Sequence, residues 1–357
     1  MTLSDIATLR LQSQQIAGTK LKSPKEIVAW MGAMQAQDYH MSKWAIGTRL
    51  PNFTDIEIEK AIDKGEIIRT HLLRPTWHLV SAEDIYWMLE LTAPHVKSSV
   101  NSFNKMLELT DSIFSKSNRI IEKALSGGNH LTREEIMVLL EKAKISTHSF
   151  RSTHLMFHAE LNGIVCNGAR KGKNHTYALL AKRVPKQKKL SRDEALAKLA
   201  KRYFTSHCPA TLNDFRWWSG LPAKDARNAL EMVKKDFISE KIGEETYLLT
   251  NNFSIPKKEN ASVYLLPAFD EFLISYKDRS ASFPFGNHKK VLTNNGIFRP
   301  VVVINGHVTG TWKRMVKKDT VLIETDLFQP HTKPTKALIK NAANKFGKFL
   351  DKKIALT

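Results

Sequence analysis

VAWMGAMQAQDYHMSKWAIGTRL, residues Val28 to Leu50, is the stretch whose reading decides the fold, and it turns on Gln35-Ala36-Gln37. A helix leads into it. Ser23 suits the N-cap, Pro24 the first helical position, and Glu26 closes an S-x-x-E capping box. Apolar Ile27, Trp30, Met31 and Met34 then recur at helical spacing. If that helix ran on unbroken, Gln35 and Gln37 would point about 200° apart around its axis. In an extended link, side chains two residues apart share a side, so both amides would lie on one surface with Ala36 on the other. Asp38 can then cap a second helix bearing Met41, Trp44, Ala45 and Thr48.

Working outward, the chain of 357 residues is long enough for two or three domains with buried cores. Fifty-five Lys and Arg against 35 Asp and Glu give a net charge of +20, which points to a polyanionic partner. No run of 18 apolar residues marks a membrane span, and MTLSDIATLRLQSQQ lacks the pattern of a secretion signal. Two cysteines, Cys166 and Cys208, make neither a disulfide framework nor a zinc spacing, so a reducing cytoplasm is expected.

Residues 1–80 read as helices followed by two β-rich runs, EIIRTHLL and TWHLV, joined at Arg74-Pro75. One helix starts at Thr54 or Asp55 and is stopped by Gly65. Helices followed by a two-stranded wing describe a winged helix-turn-helix. After a helical linker over 81–115 the order recurs over 116–185. There Thr132 and Glu135 form a capping box, SFRSTHLMFHAEL is a helix, and NGIVCNGARKGKNHTYALL is a hairpin with a basic tip. It recurs again over 190–252, where LPAKDARNALEMV is the candidate recognition helix and FISEKIGEETYLLT the hairpin. From 257 to 357 the chain turns β-rich, with Asn305-Gly306 suited to a type I′ turn and a closing helix near the end. The expected fold is therefore α+β: three tandem winged helix-turn-helix domains and a small β-barrel-like C-terminal domain.

MQAQDYHMSKWAIGTRL closely resembles the signature of the AlkZ-like bacterial DNA glycosylases, a winged-helix family with a Q-x-Q motif just after an N-terminal helix. RTHLLRPTWHLV, SHCPATLNDFRWWSGL, LLPAFDEFLISYKDR and GHVTGTWKR resemble its recurring segments in order, and the resemblance covers nearly the whole chain. Cys208 stands where a glycine is expected in the H-G-P-A-T-L segment, a departure in packing. The chain falls with the Q-x-Q members rather than a Q-x-D subgroup. The resemblance implies a monomeric, monofunctional glycosylase that needs no cofactor. It would be C-shaped around a basic concave surface and act on double-stranded DNA carrying N7-alkylated or bulky guanine, interstrand crosslinks included. Gln35 and Gln37 become the catalytic positions. A carboxamide does not titrate, so this pair suits chemistry that needs a water placed rather than a general base.

Asp38 has two readings, a water-activating carboxylate or a helix cap, and the cap carries the larger weight. The uninterrupted basic tract from Arg170 to Lys189 is the best DNA-contact candidate outside the motif. Its foremost members are Arg170, Lys171, Lys173, Lys182 and Arg183. Arg69, His71, Arg74 and His78 in the first wing are further candidates, of which about half can face DNA. His154 and His158 have metal-ligand spacing without a carboxylate partner, and no metal is expected. Phe215, Trp217 and Trp218 suit base stacking, although consecutive helical aromatics usually include a core anchor. A winged-helix regulator or repair scaffold without catalysis is the competing reading.

Overall fold

The computed structural model describes residues 1–251, 261–283, 286–330 and 332–357. The boundary expected between 252 and 257 lies outside the described residues. The chain forms two compact units, one of residues 1–59 with 196–357 and the other of residues 60–195.

The N-terminal part of the first unit holds α1 (Leu3–Ser13), α2 (Pro24–Met31), the short strand β1 (Ala33–Gln35), α3 (Tyr39–Arg49) and the start of α4 (Asp55–Asp63). The Ser23 hydroxyl accepts the Glu26 N–H at 3.2 Å and opens α2. The Glu26 carboxylate takes the N–H of Lys22 at 2.8 Å, one residue further out than a closed capping box would have it. Gly32 stops the helix with φ of +79°, a left-handed conformation that costs an L side chain energy. Met34 therefore belongs to β1, and the link through Gln35 is extended.

The second unit begins with the antiparallel hairpin β2 (Ile67–His71) and β3 (Trp77–Ser81), with Arg69 opposite Leu79. Then come α5 (Ile85–Ser99), α6 (Asn101–Met106), α7 (Asp111–Ala124), β4 (Leu131–Thr132), α8 (Arg133–Lys142) and α9 (Arg151–Leu161). β5 (Val165–Asn167), β6 (Thr176–Leu179) and the one-turn α10 (Leu180–Arg183) complete it. Thr132 and Glu135 do form a reciprocal capping box at the head of α8. The helices close on Phe114, Ile121, Ile136, Leu140 and Leu155, and Val165 and Tyr177 of the three-stranded β4-β6-β5 sheet meet them.

The chain returns to the first unit through α11 (Arg192–Ser206), α12 (Leu212–Ser219), α13 (Ala223–Val233) and the hairpin β7 (Phe237–Ile242) and β8 (Glu245–Thr250). There follow β9 (Val263–Leu266), the short α14 (Glu271–Ile274) and α15 (His288–Val291), β10 (Val301–Ile304), β11 (His307–Val316), β12 (Thr320–Leu327), α16 (Lys333–Phe349) and β13 (Lys353–Leu356). The last five strands form one sheet in the order β13-β12-β11-β10-β9, curled into a half-barrel. Asn305 and Gly306, both at positive φ (51° and 83°), turn β10 into β11 as a type I′ turn requires.

The N-terminal helices are built into this sheet. Trp44 of α3 donates to the Leu265 carbonyl at 2.7 Å, and Trp312 of β11 donates to that of Leu266 at 2.8 Å. The two indoles meet over Phe346 of α16 with centroids 5.0 and 5.1 Å away. α3 comes so close to α16 that a Cβ at Gly47 would lie 2.6 Å from the Phe349 ring. The residues just after the glutamine motif are thereby anchored on elements about 220 to 300 positions further along the chain.

Candidate active site

Gln35 ends β1 with only 5 % of its surface exposed, Ala36 is fully buried, and Gln37 is exposed. The expectation that both amides lie on one open surface is not met for Gln35, which is buried; Gln37 alone is exposed. Ala33, Met34 and Ala36 pack into the core and draw Gln35 down with them, whereas Gln37 stands at the turn into α3. The Gln35 N–H donates to Oε1 of Glu271 at 2.6 Å, a short bond to a carboxylate 236 residues away. On the other side, Asp38 accepts the Met41 N–H at 3.1 Å as the N-cap of α3. Its second oxygen lies 3.5 Å from the Arg314 guanidinium of β11. Both Asp38 oxygens are thus engaged, as a cap and as an ion pair.

The support beneath the motif is polar and buried. Asp270 receives both guanidinium arms of Arg49 at 2.9 Å each. Arg49 also donates to the main-chain oxygens of Gln14 (2.9 Å) and Ala45 (2.8 Å) and to the side-chain oxygen of Gln14 (2.9 Å), so all five of its N–H groups are satisfied. Gln14 in turn donates to the Glu271 carbonyl at 3.2 Å and to the Tyr276 hydroxyl at 3.0 Å. Ser275 donates to Oε2 of Glu271, and Nε2 of His207 stands 4.0 Å from that oxygen. Sequence reading missed Asp270 and Glu271. Their only local signal is the acidic pair inside LLPAFDEFLISYK, a segment otherwise apolar.

His207 is fully buried among Tyr203, Trp218 and Tyr276, and its pKa falls to about 3. Burial is the main cause, and the nearby Arg49 and Arg10 charges add to it. The ring is therefore neutral in the folded protein at neutral pH, whereas an unfolded chain protonates it below about pH 6.5. Its contribution to stability is complete above that pH and is lost as pH falls toward 3. The free energy of unfolding should accordingly fall as pH drops from about 6.5 to 4.5, by on the order of 1 kcal/mol per pH unit from this ring, and by less in His207→Gln.

At the rim, the hairpin of β11 and β12 adds exposed Lys313, Lys317 and Lys318 to Arg314, cations that sequence reading did not single out as contacts. Lys43 is not one of the free cations. It is buried and bonded to Asp55 (2.8 Å) and Glu59 (2.7 Å), and Tyr39 donates to Glu59 at 2.5 Å. In α12, Phe215 and Trp218 are core residues. Trp217 is 37 % exposed, with Lys277 4.9 Å and Arg279 5.4 Å from its ring.

The second unit holds the other DNA-contact candidates. Arg69 is half-buried with its guanidinium 4.1 Å from the Trp77 ring, and Arg74 is half-buried as well. His71 and His78 point inward. His71 sits 2.5 Å from Oε2 of the buried Glu160, and burial pushes the His78 pKa well down. In the basic tract, Arg183 donates to the Asp63 and Ile62 carbonyls at 3.0 and 2.6 Å, and Arg170 donates to that of Lys173 at 2.8 Å. Lys171 is exposed and 2.8 Å from Glu135, while Lys173 and Lys182 are exposed. His154 and His158 stack on Phe103 and Phe114, 4.9 and 3.9 Å between centroids. Among the described residues no three His, Cys, Asp or Glu side chains are grouped to hold a metal ion, and no helix is long and apolar enough to cross a membrane.

Against known proteins, the family model described as DNA glycosylase AlkZ-like matches residues 28–349. The solved structure of the Streptomyces sahachiroi DNA glycosylase AlkZ is similar with a TM-score of 0.82 and 17 % identity, over 100 % of both chains. At that identity the likeness is one of fold. No curated protein matches the chain.

Proposed function

The chain belongs to the AlkZ-like DNA glycosylase family, and from that premise we propose that it acts as a Q-x-Q member. It hydrolyses the N-glycosidic bond of N7-alkylated or bulky guanine in duplex DNA, interstrand crosslinks among them. Alkylation at N7 makes the base cationic and a good leaving group, so no general acid is needed. What remains is to place a water and to stabilise an oxocarbenium-like sugar.

The observation that carries this reading is the unequal pair of neutral amides. Gln37 is exposed, and a carboxamide carbonyl at that position can accept from the attacking water, while Gln35 is buried with its main chain pinned. The helix-and-hairpin order of residues 1–80, 116–185 and 190–252 serves as three winged helices. Exposed Lys171, Lys173 and Lys182, with Arg69 and Arg74, take the phosphates. Arg170 braces the hairpin tip that carries Lys171 and Lys173, and Arg183 ties α10 to the end of α4.

The test is to incubate the purified protein with an oligonucleotide duplex containing N7-methylguanine and then heat it in alkali. Strand breaks at the modified guanine, with free N7-methylguanine in solution, are the expected result. A protein that binds the duplex yet leaves every modified base attached would be a winged-helix binder without this chemistry.

A further inference from the structure

We propose that Glu271 is the positioning residue of the site: its carboxylate holds the Gln35 main chain, and so fixes the extended link that carries the chain on to Gln37. The inference rests on the glycosylase reading of that pair. Oε1 of Glu271 accepts the Gln35 N–H at 2.6 Å, and Ser275 holds Oε2. The Glu271 main chain is fixed as well, because Gln14 donates to its carbonyl at 3.2 Å and its neighbour Asp270 is clasped by Arg49. From the core outward, each member fixes the next: Arg49 holds the Asp270 carboxylate, Gln14 the Glu271 carbonyl and Ser275 one Glu271 carboxylate oxygen, and the other oxygen holds the Gln35 peptide.

An ordinary strand end would satisfy this N–H with a carbonyl, which carries no net charge to desolvate. A buried carboxylate in that place costs several kcal/mol, and Glu271 is 1 % exposed. In return it gives a short charge-assisted bond, stiffer in distance and angle than a neutral one. The neutral His207 ring beside Oε2 brings no positive charge to compete for that oxygen. Such stiffness matters where a displacement of about 1 Å costs about 100-fold in rate. It gives a reason for an acidic residue in an apolar segment that packing alone does not require.

The test uses the full chain with Glu271→Gln, which keeps the shape and an acceptor oxygen but removes the charge, and with Ser275→Ala, a milder change. Three quantities are measured: the single-turnover rate of N7-methylguanine release, the duplex Kd, and the NMR resonance of the Gln35 amide, which a short bond to a carboxylate shifts downfield. In Glu271→Gln the resonance should move upfield and the rate fall by about 100-fold, with Kd unchanged. Ser275→Ala should move both in the same direction by less, and it decides the matter alone if Glu271→Gln does not fold. A Gln35 resonance that stays in place, or a rate that stays at the wild-type value while the resonance moves, overturns the positioning role. A wild-type protein that releases no base overturns the glycosylase reading instead, and the amide resonance still reports whether Glu271 holds Gln35.

Discussion

Under the proposed function, replacing Gln35 and Gln37 together by alanine should lower the single-turnover release of N7-methylguanine by about two to three orders of magnitude and leave duplex affinity almost unchanged. The two glutamines contribute no charge, so their loss does not alter the phosphate attraction that dominates affinity. What the proposed function would lose is the placement of the water and the polar contacts that strengthen as the sugar becomes cationic. Gln37→Ala alone should carry most of the loss, since Gln37 is the exposed member, while Gln35→Ala removes a buried side chain and also loosens β1. Single-turnover assays beside a filter-binding Kd separate the two effects. Release by the double variant at the wild-type rate would strip both residues of a catalytic role.

The second large effect is on stability. Asp270→Ala leaves the Arg49 guanidinium in the core without its counter-ion and should cost about 3 to 5 kcal/mol. Arg49 is fully buried and directs two of its five bonds to this carboxylate. The same change frees the Phe272 N–H, which Asp270 accepts at 2.9 Å as it caps α14. If the cost comes from a stranded charge, Arg49→Leu with Asp270→Leu should lose less than the sum of the single changes. Urea unfolding of the four proteins measures this. Losses that simply add would place the cost elsewhere.

Local chemistry made parts of this structure readable in advance. Ser23, Asp38 and Thr132 start helices because each cap reaches a backbone N–H three residues on, a relation that spacing alone displays. The Asn305-Gly306 turn is legible for the same reason. Glu271 was not legible, since nothing periodic links a carboxylate to an amide 236 positions earlier. The charge count also misled in detail. Arg10, Lys43 and Arg49 add to the +20 but lie in the core, and Arg183 is tied to main-chain oxygens, so fewer cations are free for phosphates than the total suggests. The unequal exposure of the glutamines escaped notice because alternation along an extended chain gives direction, not depth.

The span from Gln35 to Glu271 has a consequence for synthesis. At about 5 to 20 residues per second, translation of the 236 intervening positions takes about 12 to 47 seconds. A growing polypeptide carries the two glutamines throughout that interval without the acceptor of the Gln35 N–H. Under the proposed function, base excision would be a competence acquired late on the ribosome, and an aborted product ending before residue 271 would carry the motif without the carboxylate that holds Gln35.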